Sequence, residues 1–301
     1  MKKFSNEEIK KFVSEPLFDE NVILKKDNSF PKISIVTPSF NQGQFLERTI
    51  LSVLNQNYPN LEYIIMDGGS TDGSIDIIKK YEKYLTYWVS EKDNGQADAI
   101  NKGFRKASGQ IFAWINSDDI YLPGTLNQVS LAFKKNPKAD VVYGSIYRID
   151  PDDNIIREQR ATQFLPNGYL YGGFDLAQPS VFWRREIYLR VGGMNTEYSF
   201  SMDTDLFFRF VISGAKFDFL RSFLSCLRIH SLSKTSNIPH ISKSEDVKIY
   251  SIYLKHPYGS FFANLVRNIA KTKRLLLYVI QGDIGWLLDR IKRRVIKKAT
   301  I

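Results

Sequence analysis

One cysteine, Cys226, stands among 301 residues, so no intrachain disulfide can form and a reducing compartment is expected. It falls in the apolar run Phe223-Leu224-Ser225-Cys226-Leu227, which predicts a buried, inert thiol. Long apolar runs are missing too. The most apolar late stretch, Leu275 to Leu288, is interrupted by Gln281 and Asp283 and falls short of the roughly 18 apolar residues a spanning helix needs. Residues Met1 to Glu20 lack the apolar h-region of a secretory signal, so the expected location is cytoplasmic and any membrane contact peripheral. Neither Gly-x-x-x-x-Gly-Lys-Ser/Thr nor Gly-x-Gly-x-x-Gly occurs, which removes the phosphate cradles of nucleoside triphosphatases and dinucleotide dehydrogenases.

What is present is ordinary globular composition, 43% hydrophobic and 25% charged, which indicates neither disorder nor an integral membrane protein. The length suits one large domain with an appendage, or two modest domains. The net charge of +10 is unevenly placed: residues 241–301 hold 13 Lys+Arg against 4 Asp+Glu, a balance of +9, which leaves +1 for the rest.

Between Pro31 and about His230, short β-rich runs alternate with helical periodicity, the pattern of a mostly parallel sheet flanked by helices. Strands are expected at Lys32 to Thr37, Glu62 to Met66, Tyr87 to Val89, Ile111 to Ile115, Val141 to Tyr147, Ser180 to Trp183 and Phe217 to His230. Helices are expected over Gln44 to Asn55, from Ser74, over Gln96 to Ala107, Pro123 to Asn136 and Thr204 to Ser213. The polar, Gly-bearing stretch that ends near Gln178 has no clear period and reads as a long functional loop on the acceptor side. From Ser242 onward the pattern is helical. Ile284, Leu287, Leu288, Ile291 and Val295 recur at helical spacing among Arg290, Lys292, Arg293, Arg294 and Lys297, an amphipathic basic helix.

Ligands of open α/β sheets bind beyond the carboxyl ends of the strands, and three strand ends here are polar: Thr37-Pro38-Ser39, Asp67 with its glycines, and Asp118-Asp119. Taken singly, each is equally a turn or a helix cap. Together they point to a site. Adjacent carboxylates repel, and Mg²⁺ or Mn²⁺ would relieve this while holding diphosphate oxygens. An ionised Asp67 accepts but cannot donate, which suits the imino N–H of uracil or guanine. Asp203, in Met202-Asp203-Thr204-Asp205-Leu206, either favours a helix N-terminus or acts as a general base toward a hydroxyl acceptor. His230 is either structural or a contact to cation or phosphate.

These residues carry a family resemblance. Thr37-Pro38-Ser39-Phe40-Asn41, the run Asp67 to Ser74, Asn94-Gly95 to Asn101-Lys102-Gly103, and Asn116-Ser117-Asp118-Asp119 with Tyr121-Leu122-Pro123-Gly124 resemble family 2 glycosyltransferases of the GT-A fold. Val191-Gly192-Gly193-Met194, Asp203 to Leu206 and Arg228-Ile229-His230 extend the match, which covers about Pro31 to His230. The resemblance implies inverting transfer from a nucleoside-diphosphate sugar, uridine or guanosine, with a divalent cation, onto a saccharide or lipid-linked acceptor of a bacterial surface polysaccharide or lipopolysaccharide. It implies that Thr37, Ser39, Phe40 and Asp67 face the nucleoside with Gln96 near base or ribose, that Asp118 contacts ribose, that Asp119 binds the metal, that Asp203 is the base, and that His230 is a late contact to metal or diphosphate. Three positions depart from the common pattern: Asn116 replaces a carboxylate, Met202 a frequent Glu, and Gln96-Ala97-Asp98 a segment that often holds Arg.

On this reading 1–30 is an N-terminal extension, 31–240 the catalytic domain and 241–301 a basic helical tail. The tail belongs to no family motif. Its cations and apolar stripe predict binding to the anionic inner face of a cell membrane, the alternative being that the stripe packs back on the catalytic domain. No nucleic-acid module accompanies the charge, so a nucleic-acid partner is not expected. A sugar-phosphate nucleotidyltransferase is the rival enzyme, but it would need a Gly-rich loop bearing Arg and Lys where this chain has Thr37 to Asn41.

Overall fold

Two short apolar runs, Ile33–Ser39 (β1) and Leu61–Asp67 (β2), are buried at every residue, as strands covered on both faces must be. The computed structural model describes residues 1–174, 176–231, 233, 239–257 and 259–299, without the side chains of 239–241 and 293–299. Within these, nine strands form one sheet in the order β3-β2-β1-β4-β8-β6-β9-β5, with β7 paired to β6. The remaining strands are Tyr87–Ser90 (β3), Ile111–Trp114 (β4), Ile120–Tyr121 (β5), Val141–Ile149 (β6), Ile155–Gln159 (β7), Val181–Arg184 (β8) and Phe217–Arg228 (β9). β3, β2, β1 and β4 are parallel; beyond β4 the sheet is mixed, because β8 runs antiparallel to both β4 and β6.

Alternation along the strands sends Ile35, Tyr63, Ile65 and Ala113 into one apolar core. There they meet Leu46 and Ile50 of helix Gly43–Leu54 (α3), Ile78 of Ser74–Tyr81 (α4) and Val129 of Thr125–Lys135 (α6). The other face holds helix Gln96–Lys106 (α5), whose Phe104 stacks on Phe112 at 4.6 Å, within an aromatic cluster that includes Trp114, Trp183 and Phe207. Gly103 lets α5 approach this closely: a Cβ there would stand 2.5 Å from Val36 Cγ1.

The chain forms two compact units. The first comprises Met1–Ala161 with Leu176–Ile249, the second Thr162–Asp175 with Tyr250–Ile301. The N-terminal segment is part of the first. Helix Asn6–Ser14 (α1) begins with a Ser5/Glu8 capping box and buries Ile9, Phe12 and Val13 against Ile120, Leu122 and Phe223. The Asn55 side chain holds the exit of α1, donating to Phe12 O at 2.6 Å and accepting from Leu17 N at 2.7 Å. Helix Glu20–Lys25 (α2) follows. Cys226 is buried and its thiol is pushed well up by desolvation, as its apolar run predicts.

The stretch expected to be one long loop to Gln178 is divided differently. It contains β7 and the short helix Pro166–Leu170 (α7), and residues 162–175 join the C-terminal helices. The C-terminal helices of that second unit are Phe261–Ile280 (α11) and Ile284–Ala299 (α12); Pro239–Tyr253 (α10), which lies in the first unit up to Ile249, precedes them and follows Arg185–Arg190 (α8) and Met202–Ile212 (α9). Of the polar run Ser231 to Ser236, Ser231 and Ser233 alone fall within the described residues, and the tail side chains from Arg293 onward lie outside them.

Candidate active site

The chain steps from β1 to β2 on one side and returns to β4 on the other, so the carboxyl ends of β1 and β4 diverge at a topological switch point. A cleft of about 410 Å³ opens there. Ser39 and Phe40 come to it from the end of β1, Gln96 from the first turn of α5, and Asn116 to Asp119 from the loop after β4. Gln42, Asp93, Leu227, Arg228 and Ser233 complete much of the wall.

Two features of the β1 rim suit ligand binding. The Ser39 hydroxyl is buried and has no hydrogen-bond partner among the described residues, an arrangement that leaves a donor in the cleft wall. Phe40 is 59% exposed, an aromatic face that the fold does not use. Thr37, by contrast, is fully buried and its hydroxyl pairs with Tyr63 OH at 3.1 Å, so it braces β1 against β2 beneath the cleft. Asp67 is also below the surface. Its carboxylate accepts from Gly69 N (3.1 Å), Ser70 N (2.9 Å), Ser70 Oγ (2.6 Å) and Ser90 Oγ (2.6 Å), which fills its usual acceptor capacity and shapes the loop after β2.

Asn116 is the hub of the β4 rim. Its Oδ1 accepts from Gln96 Nε2 at 2.7 Å and from Trp114 Nε1 at 3.2 Å, while Nδ2 donates to Asp119 Oδ2 at 3.3 Å. An amide at this position both donates and accepts, which a carboxylate could not do. Asp119 is 3% exposed and takes a second bond from Arg228 N at 2.9 Å. Desolvation and the neighbouring Asp118 raise its pKa well above the usual carboxylate range. The fully buried Arg228 guanidinium answers this negative charge. It pairs with Asp153 at 2.7 Å, donates to Asp118 O at 2.8 Å and lies over the Phe45 ring at 4.8 Å. His230 Nε2 stands 3.0 Å from Asp118 Oδ2, with its ring 4.7 Å from Phe45.

The donor chemistry of Asp118 and Asp119, hard oxygens facing one cleft, fits a hard divalent cation that keeps most of its ligands as water or phosphate oxygens. Among the described residues no group of three or more His, Cys, Asp or Glu side chains is arranged as a metal cage. His230 is turned to Asp118 in this arrangement.

Asp203 is in the first turn of α9 and is not among the residues that line the cleft. It is part-buried, and desolvation, with a smaller contribution from Asp246, raises its pKa to about 6 against the opposing bond from Thr204 N at 2.8 Å. Two buttresses hold its surroundings. Glu245 of α10 accepts from Ser199 N (2.8 Å), Phe200 N (2.9 Å) and Ser201 N (2.7 Å), immediately before α9. Asp205, fully buried, takes a forked pair from Arg209, whose Nη1 donates on to Val191 O at 2.7 Å and Gly193 O at 2.6 Å. Asn101 of α5 joins the same turn, bonding both the N–H and the carbonyl of Met194 at 2.9 Å.

Of the residues singled out from sequence, Ser39, Phe40, Gln96, Asp118 and Asp119 therefore meet at one cleft, Thr37 and Asp67 support it, and His230 is tied to it through Asp118. Arg228, Gln42, Asp93 and Glu245 were not singled out for roles. Adjacency to His230 is a signal for Arg228; Glu245 has no local signal, since its partners are 44 to 46 residues away.

Comparison with known proteins agrees with this architecture. An uncharacterized glycosyltransferase of Rickettsia typhi is 27% identical over 245 residues, 77% of this chain and 74% of the relative. Another, of Mycobacterium tuberculosis, is 28% identical over 183 residues, covering 60% and 69%. Among solved structures, residues 1–349 of S. aureus TarS in complex with UDP-GlcNAc share the fold with a TM-score of 0.61 at 15% identity, over 82% of this chain and 72% of that one. The mannosyltransferase PcManGT from Pyrobaculum calidifontis in complex with GDP-Man and Mn²⁺ does so with a TM-score of 0.56 at 15% identity, over 97% and 87%. Residues 34–192, which contain most of β1, the cleft residues Ser39 to Asp119 and the Val191-Gly192 turn, match the model of glycosyl transferase family 2, and this chain, a glycosyltransferase of GT-A fold, belongs to that family.

Proposed function

We propose that the protein transfers a sugar, with inversion, from a uridine or guanosine diphosphate donor to a hydroxyl of a saccharide or lipid-linked acceptor in bacterial surface-polysaccharide or lipopolysaccharide assembly. The observation that carries this reading is the switch-point cleft, whose lining holds both a buried hydroxyl with no partner among the described residues, Ser39, and the Asp118-Asp119 pair. Phe40 offers a stacking face to the nucleobase, Gln96 a polar contact to base or ribose, and Asp118 a contact to ribose. Thr37 and Asp67 serve the nucleoside side by holding the rim in place. The solved neighbours bound to UDP-GlcNAc and GDP-Man support both nucleotide classes equally.

Asp118 and Asp119 would hold Mn²⁺ or Mg²⁺, with His230 orienting Asp118 or contacting diphosphate. When bound, the cation neutralises negative charge on the departing nucleoside diphosphate. Asp203 removes the proton of the acceptor hydroxyl, and a pKa near 6 leaves it mostly ionised yet basic at neutral pH. Direct attack by that hydroxyl at the anomeric carbon, with departure of the diphosphate from the opposite side, inverts the centre and leaves a proton on Asp203.

The acceptor class draws support from the basic tail. Cations near an anionic lipid surface contribute about 1 kcal/mol each at low salt, so the +9 of residues 241–301 favours a peripheral position on the inner face of the cell membrane. No described helix is long and apolar enough to cross a membrane.

The test is a screen of uridine and guanosine diphosphate sugars for donor hydrolysis, each with Mn²⁺ and with Mg²⁺. Release of nucleoside diphosphate from one donor, suppressed by chelator, is the expected result. Release of pyrophosphate would make the protein a nucleotidyltransferase, and no turnover with any donor would remove the reading.

A further inference from the structure

Helix α11 presents its apolar side to solvent. At about 3.6 residues per turn, Phe261, Leu265, Ile269, Leu276 and Ile280 fall within one arc of the helix. All are exposed, Phe261 at 85% and Ile280 at 79%. The opposite arc carries the small and packed positions Ala263, Ala270 and Tyr278. Its orientation is fixed by close contact: a Cβ on Gly168 or Gly173 would stand 2.9 Å from Ala270 Cβ, so α11 lies almost backbone to backbone on the α7 segment of its own unit. Arg267 belongs to this inner side, where its guanidinium donates to Asn264 Oδ1 at 2.5 Å. A helix that obeyed ordinary burial would be turned the other way.

Isolated exposed apolar residues need no explanation, but a stripe along five turns of helix does. Lys271 and Lys273, both exposed, flank the stripe on either side. After the Gly282 turn, α12 continues the pattern with Ile284, Leu288 and Ile291 exposed at helical spacing, and its Trp286 packs on Tyr278 at 4.9 Å to hold the two helices together. A second copy of the chain is a poor cover for this surface, because the flanking lysines and the +9 segment would face their own counterparts. An anionic bilayer meets both needs, with acyl chains for the stripe and headgroup phosphates for the lysines.

We propose that α11 is an in-plane membrane-docking helix, its apolar stripe seated at the acyl boundary of an anionic lipid surface with Lys271 and Lys273 among the headgroups. This deepens the peripheral membrane association proposed above and moves its main contact from the final helix to α11. It does not depend on which donor or acceptor the enzyme uses.

The test is sedimentation of the intact chain with vesicles of mixed phosphatidylglycerol and phosphatidylcholine, and with phosphatidylcholine alone. The mixed vesicles should bind the chain at least about tenfold more tightly, and salt near 0.5 M should remove most of that difference. I269E/L276E, at exposed positions that leave the packed side alone, should lose about tenfold or more of the binding, and K271E/K273E a comparable share of the anionic preference. Deleting Ile284 to Ile301 should weaken binding less than I269E/L276E does. Unchanged circular dichroism and melting in I269E/L276E show that the loss is not unfolding. Wild-type binding by I269E/L276E would overturn the proposal, as would a solution dimer that this variant dissociates while the wild type ignores vesicles. Absence of donor hydrolysis in an intact chain that still binds vesicles through α11 would overturn the function and leave the docking surface standing.

Discussion

At the residue scale, the informative pair is Asp203 and Glu245. Asp203→Asn should lower transfer by about 10²–10⁴-fold while nucleotide affinity, measured by calorimetry, stays near wild type. Loss of nucleotide binding with transfer intact would exclude it as the base. Because the base must be ionised, wild-type kcat/KM should rise with pH and level off above about 6, where burial has placed the Asp203 carboxyl, and this limb should vanish in Asp203→Asn. Glu245 works in the opposite sense. Burial pushes its pKa up, but the bonds from Ser201, Ser199 and Phe200 outweigh that and hold it below the ordinary value. A carboxyl lowered on folding stabilises the protein above its unfolded pKa and loses that contribution as pH falls through the folded one. Glu245→Gln should therefore cost about 1–3 kcal/mol at neutral pH, seen in urea unfolding, and the gap from wild type should close below about pH 4.

Among the elements, the turn between α8 and α9 is held by a clamp that no local pattern advertises. Asp205 reads from sequence as a helix-start acid, and it is one, but its fully buried carboxylate also anchors Arg209 across the carbonyls of Val191 and Gly193. Arg209→Met would leave that charge buried without its partner and should destabilise by about 3–5 kcal/mol in urea unfolding, more than loss of any exposed ion pair. A smaller change probes α5. Gly103→Ala places a methyl 2.5 Å from Val36 Cγ1 and should cost about 1–3 kcal/mol by the same measurement. Wild-type stability in Gly103→Ala would mean that α5 relaxes away from the sheet at no cost, and in Arg209→Met that the buried Asp205 does not need its partner. The strands of the first half were legible because they are short, mainly apolar, β-branched and aromatic runs ended by polar turns. β5, two residues long, and β7, with exposed Glu158-side neighbours such as Arg157, carry too little apolar signal to stand out.

For the whole molecule, the division of the chain follows contacts rather than sequence order. Residues 1–30 look like an appendage because they are rich in Lys and Glu, yet Phe4, Ile9, Phe12 and Val13 belong to the core around Tyr147 and Phe223. Removing residues 1–14 should accordingly expose that core and lower the melting temperature by several degrees, since each large apolar side chain exposed costs about 1.5–3 kcal/mol. An unchanged melting curve would show the segment to be dispensable. Residues 162–175 joined the C-terminal helices through glycines that admit Ala270, a fit with no periodic signature.

The amino-acid order by itself determined the alternation of strands and helices, the family, and the polar strand ends that converge on the cleft, because burial on both faces and short-range turn chemistry are written locally. Only the tertiary structure decided which polar groups keep spare hydrogen-bonding capacity in the cleft wall and which are spent on the fold. Asp67 and Thr37 are satisfied internally, Ser39 is not, and α11 is turned apolar side out. Hydrogen-bond saturation and helix rotation depend on partners distant in the chain, and local spacing contains neither.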